Sequence, residues 1–295
     1  MADRPERVPA EEVRQRMLDA GRELALEAGA ALTIERLRLE EVIQRARVPR
    51  SSVYRIWPYR EDYIDDLLCY LAGAGSWFSD RTVLDPETFE VARQIIVDNS
   101  HLLAAPEGRR ALIREVLRVT TTGNYHTLSE SAPWRLHMAL VATLGSTRSG
   151  EARERIAAAL EESQRRSRDS LVTVFDILAK VLGLRLRDPA WSASHMQLAG
   201  GLLVQAMALR NLQVQAALGT ESGEPAGDTD AAVEATADAT LVGTLLNTPL
   251  PGPGLNGEPA MWTLAAFAYL GLFEAFVELD PDFVPPEEIT SAPTP

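Results

Sequence analysis

Residues Leu39–Asp66, LEEVIQRARVPRSSVYRIWPYREDYIDD, hold two short helical patterns on either side of a proline, followed by the start of a third. Leu39, Val42, Ile43 and Ala46 recur at helical spacing, so one face of the first helix is apolar. Pro49 breaks the pattern and pushes Val48 towards extended geometry. Arg50–Trp57 fits a second short helix, with Val53, Ile56 and Trp57 inward and Ser51, Ser52, Tyr54 and Arg55 outward. Pro58 stops it, and Tyr59–Leu71 opens another helix with Tyr63, Leu67 and Leu71 in phase. Two short helices joined by a tight turn, the second presenting small polar and basic residues, form a helix-turn-helix pattern. The second helix of such a pair is the one that enters a DNA major groove.

The charge distribution agrees with that pattern. The chain carries a net −13, which argues against nucleic-acid binding when taken globally. Residues 36–60, however, contain Arg36, Arg38, Arg45, Arg47, Arg50, Arg55 and Arg60 against only Glu40 and Glu41. DNA binding requires a local basic face, because each neutralised phosphate releases counterions. A solvated arginine-rich helix pair would look the same by charge alone, so the motif carries the distinction.

Ala46-x-Val48-x-Arg50-Ser51-Ser52-Val53-Tyr54-Arg55-x-Trp57-Pro58-x-Arg60-Glu61 resembles the TetR family of bacterial transcriptional regulators over about the first quarter of the chain. The chain departs from the family pattern at Arg47, where Gly is common, at Pro49, where Ser is usual, and at Trp57, commonly Phe. The connector Gly29–Arg38 is a few residues longer than usual. The resemblance implies an all-α protein with a three-helix DNA-binding head and a larger helical body for effector binding and dimerisation. The division is expected at residue 72, giving a head over 1–72 and a body over 73–295. The expected DNA contacts are Arg38, Arg47, Arg50, Ser51, Ser52, Tyr54, Arg55 and Arg60, with Tyr54 and Arg60 placed for phosphates as in the family. The implied partners are double-stranded operator DNA, a hydrophobic small-molecule effector and a second copy of the chain. The runner-up, from another class, is a helical ligand-binding protein or enzyme that has lost DNA binding.

The rest of the chain reads as helices of varied length. A chain of 295 residues, 46% hydrophobic, can bury a sizeable core in one or two domains. Residues 1–10 read as a loose arm. Glu11–Ala28 is a helix with Val13, Met17, Gly21, Leu24 and Ala28 on one face and Gly29 as its cap. Gly73 and Gly75 loosen the end of the Tyr59–Ala72 helix, as a loop or a joint. Helices are then expected over Pro86–Leu103 and Glu107–Thr121, a break at Gly123 and Asn124, and a shorter helix near Pro133–Leu144. Glu151–Leu182 is the longest, with a seam of Ile156, Leu160, Ser163, Ser167, Leu171, Val174, Leu178 and Leu182 suited to bundle packing. Trp191–Leu218, Ala231–Leu246 and Ala260–Leu279 follow, with Gly219–Asp230 and Asn247–Pro259 as loops. The resemblance implies that late body helices pair across a two-fold axis. The seams of 151–182, 191–218 and 260–279 are the candidates, and Leu171, Leu178, Phe267 and Leu270 are the expected interface residues.

No catalytic set is legible. Gly252-x-Gly254-x-x-Gly257 matches the dinucleotide-binding spacing, but no strand is expected before it, and Pro251, Pro253 and Pro259 prevent the helix such a site needs. The only lysine is Lys180, so a Walker A motif is excluded. His101, His126, His137 and His195 lack metal-ligand spacing. The lone Cys69 excludes a disulfide framework and reads as a small buried hydrophobe. No enzyme activity, cofactor or metal is expected. His101, Tyr125, Trp134, His137 and Met138 are the candidate effector contacts, since an apolar cavity with a few polar groups suits a hydrophobic ligand. The N-terminus MADRPERVPAEE lacks the apolar core of a signal peptide, and the most apolar run, Met261–Phe273, is too short to span a bilayer. A cytoplasmic protein without a membrane partner is therefore expected.

Overall fold

The computed structural model describes residues 9–27, 34, 37–73, 86–144, 150–218 and 230–286. Among them are eleven α-helices and four strands of three or four residues. The chain divides into two compact units: residues 1–83 with 131–167, and residues 84–130 with 168–295. The first unit thus takes in residues 73–83 and 131–167 beyond the division expected at residue 72. Among the described residues, no helix is long and apolar enough to cross a membrane. The Gly29 cap, Arg36, Gly75 and both ends of the chain lie outside the described residues, as do 145–149 and 219–229 of the expected loops.

The first unit holds α1 (Ala10–Glu27), α2 (Leu39–Ala46), α3 (Arg50–Ile56), α4 (Arg60–Ala72), α7 (Ala132–Thr143) and the start of α8 (Gly150–Leu182). Its core joins Val13, Met17 and Leu24 of α1 to Val42 and Ile43 of α2, Val53 of α3, Tyr63 and Leu67 of α4, Leu140 of α7 and Ile156 of α8. Gly21 is required by a close approach. A Cβ there would stand 2.2 Å from the Tyr63 hydroxyl, which donates to the Met17 carbonyl at 3.0 Å. Trp57 is buried just past α3, and its ring meets Tyr63 edge-on at 5.3 Å.

The second unit holds α5 (Pro86–Asp98), α6 (Pro106–Glu130), the rest of α8, α9 (Ala193–Ala217), α10 (Asp230–Asn247) and α11 (Leu264–Phe276). The helix expected over Pro86–Leu103 ends at Asp98. The Asn99 side-chain amide donates to the Ile95 carbonyl at 2.9 Å, and a 3₁₀ turn, Ser100–Ala104, follows. The break expected at Gly123 and Asn124 does not occur: α6 runs straight through. Thr121, Tyr125 and Leu128 are buried on one face, and that burial outweighs the penalty of about 1 kcal/mol for a helical glycine.

Four short strands were not expected. β1 (Leu184–Leu186) pairs antiparallel with β4 (Val277–Leu279), Arg185 opposite Glu278, so the apolar 260–279 stretch is not one helix. Gly183, at φ 64°, turns the chain from α8 into β1. β2 (Leu250–Pro253) pairs with β3 (Pro259–Trp262), Gly252 opposite Ala260. The Pro/Gly stretch is thus a hairpin, and Gly252 lies in a strand where none was expected. Prolines are tolerated in a two-stranded ribbon because half of its backbone positions point away from the ladder. The buried Trp262 indole donates to the Pro253 carbonyl at 3.0 Å and lies over Gly252, where a Cβ would come within 2.7 Å of the ring. Only a three-residue 3₁₀ turn, Leu255–Gly257, follows Gly254 before β3 begins, so the dinucleotide spacing does not open the α-helix that a phosphate cradle needs.

Candidate nucleic-acid interface

The α2–α3 pair is organised from its apolar side. Leu39, Val42, Ile43 and Ala46 bury one face of α2, and Val53 and Trp57 anchor α3 and its end. The turn between them is Arg47–Pro49. Arg47 closes α2 at φ 53° and ψ 45°, and its N–H donates to the Gln44 carbonyl at 3.3 Å. Pro49, at φ −66°, starts α3, and its carbonyl accepts from Ser52 N at 2.9 Å. With the inner face taken, Arg50, Ser51, Tyr54 and Arg55 are exposed and Ser52 is half-buried.

The arginines of this region fall into two groups. Arg45 is committed to α1: its guanidinium forms two 2.7 Å bonds to Glu27 and a longer one to Glu23. These contacts, the Glu27 hydrogen bond first, raise the Arg45 pKa and lower that of Glu27. Arg60 is half-buried, and its Nε and Nη2 donate to the Leu37 carbonyl at 3.2 and 2.9 Å. Arg60, expected at phosphate, therefore ties the start of α4 to the segment ahead of α2. Arg38, Arg47 and Arg55 are exposed and meet no carboxylate among the described residues. Arg50 pairs with Glu40 at 3.2 Å, and the same Glu40 oxygen lies 3.4 Å from the Tyr54 hydroxyl. Its own backbone N–H, then Arg50 and Tyr54, hold the Glu40 carboxyl below its ordinary range.

Behind α3 stands a carboxylate that the motif does not reveal. Asp66 of α4 accepts from the Trp57 indole at 2.9 Å and from Arg155 of α8 at 2.9 Å, and pairs with Arg14 of α1. Arg14 also lies over the Trp57 ring, 5.3 Å from its centroid. Residues 14, 57, 66 and 155 are too far apart in sequence for any helical spacing to connect them.

The expected effector residues are divided between the two units. Trp134, His137 and Met138 belong to α7 in the first unit, with Trp134 and His137 buried and Met138 half-buried. Burial pushes the His137 pKa down to about 4. His101 is exposed in the 3₁₀ turn of the second unit, and Tyr125 is buried in α6 with its ring against His126 at 5.6 Å. The second unit has an apolar seam instead between α5 and α8, lined by Phe89, Ala92, Ile96, Ile177, Leu178 and Val181, with Arg93 at its edge. Its free volume is about 20 Å³, room for little more than a water molecule. A ligand entering there has to part the two helices.

No family model matches the chain, no curated protein matches it and no solved structure matches it.

Proposed function

We propose that this chain is a ligand-responsive transcriptional regulator of the TetR kind, most simply a cytoplasmic repressor. It binds a pseudo-palindromic operator as a homodimer and is released by a hydrophobic small molecule. One observation carries the reading: α3 is anchored inward by Val53 and Trp57 and presents Arg50, Ser51, Tyr54 and Arg55 to solvent. The uncommitted Arg38 and Arg47 stand at the two ends of α2. Serine and arginine side chains reach base edges, and tyrosine and arginine reach phosphates. The protein acts by binding and carries no reaction of its own.

Release by an effector requires unequal affinity for two packings of the protein. The α5–α8 seam supports that part of the reading. It is apolar and has little free volume, so a ligand that wedges it open would favour one packing of α5 against α8.

The test is a mobility shift of DNA from upstream of the chain's own gene, titrated with salt. Arg50→Ala should weaken binding about tenfold and Tyr54→Phe about fivefold, the worth of one charged and one neutral contact. The circular dichroism should be unchanged, because both side chains are exposed. No salt-sensitive shift of this DNA would favour the ligand-binding protein without a DNA role.

A further inference from the structure

Glu40 is the second residue of α2, and its carboxylate lies among the groups that the DNA-binding reading assigns to recognition. Its Oε1 accepts from Arg50 Nη2 at 3.2 Å and from the Tyr54 hydroxyl at 3.4 Å. The Arg50 and Glu40 side chains are 64% and 55% exposed, so the pair stands in water and adds little to folding. Its effect falls on the surface. One carboxylate engages the guanidinium and the phenol that would otherwise be free for phosphate. It also offsets one of the four exposed charges of Arg38, Arg47, Arg50 and Arg55. Glu41, one residue along and also exposed, has no bond to these groups, so the pairing is specific to Glu40 rather than to acidity at the start of α2.

We propose that Glu40 is an internal competitor for DNA that sets the discrimination of the α2–α3 face; the inference rests on the DNA-binding reading above. On arbitrary duplex, Arg50 and Tyr54 must leave Glu40, and the carboxylate is then left facing phosphates of its own sign. Both effects weaken binding that depends on the backbone alone. At a cognate site the carboxylate is compensated by a donor on a base edge, the exocyclic amino group of a cytosine in the major groove being the group that suits it. Arg50 and Tyr54 are then released to the DNA without leaving a bare charge. Specificity here is gained by weakening the wrong complex as well as by strengthening the right one.

The experiment uses the full chain and its Glu40→Gln and Glu41→Gln variants, each removing one negative charge. Binding is measured by fluorescence anisotropy on random-sequence duplex across a salt series, and sites are enriched from a random pool. Glu40→Gln should bind random duplex about tenfold tighter at low salt, with a log–log salt slope steeper by about one. Its enriched sites should lose a cytosine that wild-type sites keep in each half. Glu41→Gln should change random binding less than twofold, and Arg50→Ala on the Glu40→Gln background should remove the gain. Wild-type binding with no difference between Glu40→Gln and wild type would overturn the competitor role and leave the DNA-binding reading intact. If neither protein binds any duplex at low salt, that reading fails and this inference with it.

Discussion

Arg47 holds a left-handed conformation that side-chain-bearing residues avoid at a cost of about 1–2 kcal/mol. It is also one of the exposed cations of the α2–α3 face. Arg47→Gly should therefore raise the unfolding free energy by about 0.5–1 kcal/mol, net of the larger entropy glycine brings to the unfolded chain, and weaken DNA binding. Urea titration and a mobility shift on the same variant would read the two opposite signs. His137 makes a prediction in pH. An unfolded histidine titrates near 6.5, whereas burial holds His137 at about 4. Between those values the unfolded chain binds more protons, so stability is full above pH 6.5 and falls as pH drops towards 4. At pH 5 the loss should be about 2 kcal/mol. Urea midpoints at pH 7 and pH 5 should show that slope in wild type and a flatter one in His137→Asn.

Around α4 one carboxylate, Asp66, joins Trp57 at the end of α3 to Arg14 of α1 and Arg155 of α8. Burial acts to raise the Asp66 pKa, but the Trp57, Arg155 and Arg14 contacts outweigh it and hold the carboxyl below its ordinary range. A depressed carboxylate stabilises the fold above its unfolded value, near 3.8, and that contribution is lost as pH falls through the folded value. Asp66→Asn preserves shape and removes the charge, so it should cost about 1–2 kcal/mol at pH 7, measured by urea unfolding. Arg155→Leu should cost less, because Arg14 still partners the carboxylate. Since Trp57 ends α3, Asp66→Asn should also loosen the exposed face that α3 carries.

On the proposed reading, operator recognition depends on dimerisation, since two-fold proteins read half-sites related by the same symmetry. Of the expected interface residues, Leu270 is 7% exposed and packs with Trp262 and Ala266, so it belongs to the core of its own unit. Leu171 and Leu178 are half-buried, and Phe267 is 42% exposed with its ring edge-on to Trp262. Among the described residues the most exposed leucines are instead Leu198 and Leu202, one turn apart on α9, and Leu241 and Leu245, one turn apart on α10. We expect a dimeric mass by light scattering at micromolar concentration. Leu202→Glu or Leu245→Glu should halve that mass with the fold intact, whereas Leu270→Glu should unfold the second unit. A monomeric wild type would contradict the homodimer.

Elements whose evidence is local were legible in the residues alone. Leu39–Ala46 and Arg50–Ile56 form because apolar residues recur at helical spacing and Pro49 and Pro58 mark the boundaries, and the α8 seam buries Ile156, Leu160, Ser163, Ser167, Val174 and Leu182 as its period requires. The exposure of Arg50, Ser51, Tyr54 and Arg55 followed from the same periodicity. What was misread depends on partners distant in the chain. Gly123 and Asn124 stay helical because α6 is packed on several sides, which a local propensity does not contain. The ends of the 260–279 stretch become strands because Trp262 caps the β2–β3 hairpin and β1 offers β4 an edge. Counting charge gave seven arginines equal weight, yet Arg45 is paired to α1, Arg60 to a backbone carbonyl and Arg50 to Glu40. A charge is visible in the sequence, but the group that neutralises it is set by tertiary packing, which brings together residues with no spacing relation along the chain.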